Sequence, residues 1–170
     1  MLNPYNVYHK KQWYQLVTSG FVHADFSHLI FNMLSFYFFA FNLEIAAGSG
    51  IFLLIYFGSL IISDIPTVVK NRENIKYRSL GASGAVSGIV FSSVLLFPDS
   101  KIGILLFPFG IPAPVFGLLY LAYCWYAAKK RYDHINHEAH FWGALTGLVL
   151  TIILISGSLR GFFEWISNKV

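Results

Sequence analysis

Charged residues are scarce in this chain. Asp, Glu, Lys and Arg make up 12% of its 170 residues, about half the share of roughly 25% found in soluble domains. A soluble domain of this length has too much surface to cover with so few charges, so most soluble folds are excluded. Disorder is excluded too, because it requires few aromatics and a high net charge, whereas 18% of the residues are aromatic and the net charge is only +4. There is one cysteine, Cys124, so no internal disulfide can form and cysteine usage says nothing about redox compartment. The chain does not open on a basic stretch followed by an apolar one, and no cleavable signal peptide is expected. Internal repeats and low-complexity tracts are lacking. The basic residues sit in short clusters between apolar runs, which is not the footprint of a nucleic-acid binder. What the chain has in abundance is apolar residues, 56% of the total, in a length that suits one domain over residues 1–170. An integral membrane protein in contact with the lipid bilayer is expected.

The gaps between charges show how the apolar residues are organised. Asp25 to Glu44 encloses 18 uncharged residues, Glu44 to Asp64 19, Arg78 to Asp99 20, Lys101 to Lys129 27, and Glu138 to Arg160 21. A helix needs about 20 apolar residues to cross roughly 30 Å of hydrocarbon, so each gap is long enough or nearly so. Strands are a poor alternative, because the runs are too long and lack period-two alternation. The fold class expected is all-α: a polytopic bundle of about five transmembrane helices near 26–43, 50–69, 82–97, 112–128 and 138–158. Residues 1–25, with Tyr5, Tyr8, Trp13 and Tyr14, suit an interfacial segment at headgroup level. Asp64 and Pro66 fall near the end of the second helix, where backbone and charge can still reach the interface, and Asp64 is read as an interfacial end residue. Pro98 stops the third, Phe107 to Pro112 reads as the turn before the fourth, and 102–107 as a partly embedded loop.

In such a protein the informative residues are polar ones inside apolar runs. His28 and Asn32, four apart, share one face of the first helix. Ser83 opens the third helix within Gly81-Ala82-Ser83-Gly84, and His140 lies in the first turn of the fifth. Successive helices alternate direction, so helices one, three and five start on the same side and these residues share one depth. Gly84-xxx-Gly88 and Gly143-xxx-Gly147 are small-residue faces that permit close helix approach. Helices held that close would bring the Ser83 hydroxyl to the His140 ring, the composition of a serine nucleophile with imidazole as general base. His28, Asn32 and the backbone N–H groups at the start of the third helix are candidate oxyanion donors. Each feature alone has an ordinary explanation: glycine pairs as packing, a membrane serine bonded to its own backbone, a histidine at an interface. His9, His23, His134 and His137 are read in that ordinary way, and Ser87, one turn below Ser83, as packing or a secondary polar contact.

At these residues the sequence resembles the rhomboid family of intramembrane serine proteases. Gly81-Ala82-Ser83-Gly84 is similar to the family's Gly-x-Ser-Gly nucleophile motif, and Ala139-His140 through Gly143 and Gly147 to its Ala-His-x-x-Gly-x-x-x-Gly motif. His23, His28 and Asn32 match its spaced histidines and asparagine, and Trp13 with Leu16 to Phe21 resembles the end of its first large loop. The resemblance implies that Ser83 and His140 form a catalytic dyad without an acidic third member. It further implies an oxyanion site of His28, Asn32 and the Ser83 N–H, no metal or organic cofactor, and transmembrane proteins as substrates. It also implies that the chain opens inside the first loop, so its five helices correspond to the family's second to sixth. Trp13-Tyr14 stands where the family usually has Trp-Arg. Ser87 stands where some members have a tyrosine stacked on the histidine.

Nine of the twelve Lys and Arg residues lie on the Ser83 side. The positive-inside rule puts that side in the cytoplasm, whereas the family analogy puts it outside. The alternative function is a catalytically inactive rhomboid-like protein that binds transmembrane segments. A small transporter would call for intramembrane charges or paired broken helices. As a dyad enzyme, the protein is expected to lose activity as His140 is protonated, near or below the ordinary histidine value of about 6.5. Its expected location is a bacterial or archaeal plasma membrane.

Overall fold

The computed structural model describes residues 1–103, 109–130 and 135–169. Most of the expected 102–107 loop, the Phe107-Pro108 part of the following turn, and His134 lie outside the described residues. An N-terminal cap of α1 (Pro4–Lys10), α2 (Gln15–Thr18) and a 3₁₀ turn (Ser19–Phe21) leads into the bundle. There follow α3 (Phe26–Ala47), α4 (Ser49–Asn71), α5 (Ser83–Leu96), α6 (Ala113–Lys130), α7 (His137–Leu154) and α8 (Ser158–Ser167). Between α5 and α6, β1 (Lys101–Ile102) pairs antiparallel with β2 (Ile111–Pro112) and closes the connecting loop. The protein is an all-α membrane bundle.

Length and apolarity decide which helices can cross a bilayer. Helices α3, α4 and α7 are long and apolar enough to do so; their 22, 23 and 18 residues span roughly 33, 35 and 27 Å at 1.5 Å per residue. Helix α5 is apolar but has only 14 residues, roughly 21 Å. Eleven of those fourteen are buried, so it is surrounded on all sides, as a helix without a polar face must be. Helix α3, by contrast, turns Phe26, Phe31, Tyr37, Phe38 and Phe41 outward, where hydrocarbon is the natural solvent.

Local chemistry sets the helix ends. The Asp25 carboxylate accepts the His28 N–H at 2.8 Å and caps α3. Gly48, at φ +79°, makes the corner between α3 and α4. Helix α3 runs past the expected residue 43 to Ala47, and the Glu44 carboxylate accepts the Ser49 hydroxyl at 2.7 Å across the corner. The expected 138–158 helix ends at Leu154, and Gly157, at φ +82°, redirects the chain into the amphipathic α8. Trp165 Nε1–H donates to Asp99 at 2.7 Å and Lys169 Nζ lies 3.3 Å from the same carboxylate. These partners hold the Asp99 carboxyl below its ordinary range, the tryptophan bond foremost.

The N-terminal segment carries exposed Trp13 and Tyr14, but it is also stitched to the bundle. Leu2 and Ser79 exchange backbone hydrogen bonds of 2.8 and 3.0 Å. Asn3 Nδ2 donates to the carbonyls of Ile75 and Tyr77, and Leu2 and Val7 pack with Val68 of α4. Asp64, expected at an interface, is buried within α4 and accepts the Ser19 hydroxyl at 3.4 Å. Helix α4 continues through Pro66 to Asn71, which leaves Asp64 under the cap.

Candidate active site

Ser83 is the first residue of α5. The turn that delivers it uses Gly81 at φ +108°, a conformation that favours glycine, and the Gly81 N–H donates to the Ser19 carbonyl at 3.1 Å. Ser19 is thus a bridge from buried Asp64 to the Ser83 turn. The first bond inside α5 runs from Val86 N–H to Ala82 O at 2.9 Å, and Ala82 offers no side-chain cap. The N–H groups of Ser83, Gly84 and Ala85 therefore have no carbonyl within the helix to bond, and they form the positive end of its dipole.

The His28 ring lies directly against this turn: a Cβ on Gly81 would fall 2.6 Å from its Cε1 and 2.7 Å from its Nε2. One turn on, Asn32 is buried and its Nδ2 donates to the His28 carbonyl at 3.0 Å, leaving a second N–H on the same amide. His23 meets His28 edge to face, with ring centroids 5.1 Å apart. Burial, and then the charge of His28, lowers the His23 pKa and favours its neutral form. Gly81→Ala is expected to slow catalysis and to cost about 1–3 kcal/mol in backbone strain. Thermal unfolding alongside a rate measurement checks this, and an unimpaired variant would show that the His28 position is irrelevant.

His140 occupies the first turn of α7, whose start is fixed by one side chain. Asn136 Oδ1 accepts the Ala139 N–H at 3.1 Å, while its Nδ2 donates to Thr67 of α4 at 3.0 Å and to Ser79 at 3.1 Å. Lys70 and Glu138 add an ion pair at 3.1 Å. Helices α5 and α7 then meet through glycine. A Cβ on Gly143 would run into the Gly84 backbone, one on Gly147 into the Gly88 backbone, and one on Gly84 would lie 3.5 Å from the Ala139 carbonyl. The backbones of α5 and α7 therefore approach closely just beyond Ser83 and His140. Further down the same seam, Ser92 Oγ donates to Gly147 O at 3.2 Å.

One residue was not singled out from the sequence. Tyr120 of α6 lies nearly parallel to the His140 ring, at an interplanar angle of 11° and a centroid separation of 6.5 Å. Its hydroxyl is 3.3 Å from His140 Nδ1 and 3.1 Å from Ser87 Oγ. Where some rhomboids place a tyrosine four residues after the nucleophile, this chain has Ser87, and a tyrosine from another helix bonded to Ser87 takes up the space. Only the aromatic richness of α6 hints at it in sequence. Tyr120→Phe keeps the ring and loses the hydroxyl; a hydrogen bond worth about 1 kcal/mol corresponds to roughly fivefold slower turnover and a displaced pH–rate profile. Tyr120→Leu is expected to slow it further. Equal rates in all three proteins would remove Tyr120 from the site.

The Rhomboid domain family matches residues 10–157. The chain is 33% identical over 153 residues to the rhomboid protein YdcA of Bacillus subtilis, covering 89% of this chain and 72% of that one. It is 32% identical over 141 residues to the mitochondrial rhomboid protein 1 of Saccharomyces cerevisiae, covering 79% of this chain and 40% of that one. A third relative, the rhomboid protease GluP of Bacillus subtilis, is 38% identical over 77 residues, 45% of this chain and 14% of that one. Together with the apolar bundle, these matches show that the chain is an integral membrane protein belonging to the Rhomboid family.

Proposed function

We propose that this protein is an intramembrane serine endopeptidase, built as a single rhomboid-like domain, that hydrolyses peptide bonds of transmembrane proteins. Ser83 is the nucleophile and His140 the general base. With His140 Nδ1–H donating to the Tyr120 oxygen, and the Tyr120 hydroxyl donating to Ser87, Nε2 is the nitrogen that takes the Ser83 proton. Attack on the peptide carbonyl forms a tetrahedral oxyanion; the Ser83 N–H, the free N–H of Asn32 and His28 stabilise it. His140 then hands its proton to the leaving amine, and a water deprotonated by His140 releases the acyl group. Substrate helices must unwind locally before attack, since their own hydrogen bonds hide the peptide bond. The observation that carries this reading is the close approach of α5 and α7 where Gly143 meets the Gly84 backbone, beside Ser83 and His140, with His28 against Gly81. The relative in Bacillus subtilis, matched over 72% of its length, favours a bacterial or archaeal plasma membrane as the location.

The test is covalent labelling of the detergent-solubilised protein with a fluorophosphonate, with mass spectrometry to locate the adduct. The expected adduct is on Ser83. A folded, monodisperse protein that takes none would instead support a family member that binds transmembrane segments without cutting them.

A further inference from the structure

The helix that carries His140 also carries His137, three residues earlier, and the fold sets both opposite Cys124 of α6. One nitrogen of each imidazole and Cys124 Sγ all lie within 4.8 Å of one another. Cys124 and His137 are buried, at 0% and 4% exposure, and His140 is half-buried. Zinc bonds to thiolate at about 2.3 Å and to imidazole at about 2.0–2.1 Å in a tetrahedral arrangement, which places the ligand atoms about 3.5 Å apart. Side-chain shifts of about an ångström therefore close the three groups around one ion. The set itself is selective: one thiolate and two imidazoles suit a borderline-soft cation and not magnesium or calcium. Aromatic neighbours pack against both imidazoles, Tyr123 edge-on to His137 with centroids 5.2 Å apart and Tyr120 over His140.

We propose that Cys124, His137 and His140 form a binding site for a zinc-class divalent cation, and that occupying it switches the protease off. The chemistry follows from the imidazole. A neutral ring has one free lone pair, so an ion on either nitrogen leaves the other as an N–H donor. His140 so ligated cannot take the Ser83 proton. Binding releases the Cys124 thiol proton and leaves one coordination position for water. The inhibitory half of this inference rests on the role given to His140 under the proposed function; the binding half does not.

Cobalt(II) separates the two. Titrating Co²⁺ into the solubilised protein is expected to produce a thiolate-to-cobalt charge-transfer band together with tetrahedral d–d bands. Zn²⁺ should bleach both, and Cys124→Ala should lack them. In parallel, Zn²⁺ is expected to slow fluorophosphonate labelling of Ser83 at least tenfold, reversibly with a chelator, while the labelling rate of Cys124→Ala is the same with Zn²⁺ as without it. A wild-type protein showing no thiolate–cobalt band overturns the site whatever its activity. Equal zinc inhibition of wild type and Cys124→Ala overturns the switch. If wild type shows the bands yet never labels, the binding site stands and the protease reading fails.

Discussion

Alanine at Ser83 is expected to leave a folded, membrane-inserted protein that takes no fluorophosphonate adduct and cleaves transmembrane substrates at least about 10³-fold more slowly. The side chain is half-buried at a helix start, and among the described residues its hydroxyl makes no hydrogen bond, so stability should stay within about 0.5 kcal/mol. His140→Ala should lose as much, because a serine hydroxyl without its base is a weak nucleophile. Since the pair acts as a unit, the double variant should be no slower than either single one. Asn32 tests a different part of the site. Its alanine variant keeps the proposed dyad but removes a proposed oxyanion donor, a loss that would be worth about 10²–10³ in rate. It also gives up the bond to the His28 carbonyl, so some stability goes with it. Rates of labelling and of cleavage, measured with thermal midpoints in one detergent, check all four variants. A Ser83→Ala protein that still cuts would move the chemistry to another residue.

Much of the helical layout was readable in the chain because a bilayer writes simple rules. Charges cannot sit in hydrocarbon cheaply, so the gaps between them marked the long helices within a few residues. Alternating helix direction predicts a common depth for His28, Asn32, Ser83 and His140, and the two glycine pairs lie where α5 and α7 meet. The same rules hid other features. The break at Gly157 was lost because Ile155, Leu154 and Leu159 carry the apolar run across it, and only Ser156-Gly157-Ser158 signals the turn. Asp64 read as an interfacial residue because Pro66 follows it; the partner that makes its burial tolerable, Ser19, comes from a segment 45 residues away. Tyr120 was invisible for a similar reason. Its hydroxyl reaches Ser87 across 33 residues and His140 across 20, and no periodicity encodes a contact between three helices.

Valine at Gly143 is expected to be the most damaging substitution outside the dyad, lowering both stability and activity. Apolar helices in lipid gain nothing by hiding from their solvent, so α5 and α7 are held by close packing and by the hydrogen bonds that closeness permits. A Cβ on Gly143 would strike the Gly84 carbonyl oxygen and lie 2.7 and 2.8 Å from Gly84 C and Cα. Those are backbone atoms, which no rotamer change can move aside, so the helices must part. The cost should reach or exceed the upper end of the ~1–3 kcal/mol typical of overpacking. Parting them also carries His140 away from Ser83, so labelling should fall by more than the loss of folded protein explains. Gly147→Val should act similarly and break the Ser92 to Gly147 bond. Two controls distinguish this from a general intolerance of glycine replacement. A Cβ at Gly117 would meet Val94 and Phe91 side chains at 3.4 and 3.5 Å, and one at Gly161 would meet nothing within 4 Å. Gly117→Ala should therefore be nearly neutral, and Gly161→Ala, inside α8, should stabilise by up to about 1 kcal/mol. Thermal unfolding and labelling rates of the four variants decide the matter. A Gly143→Val protein as stable and as reactive as wild type would mean that the seam between α5 and α7 does not position the site.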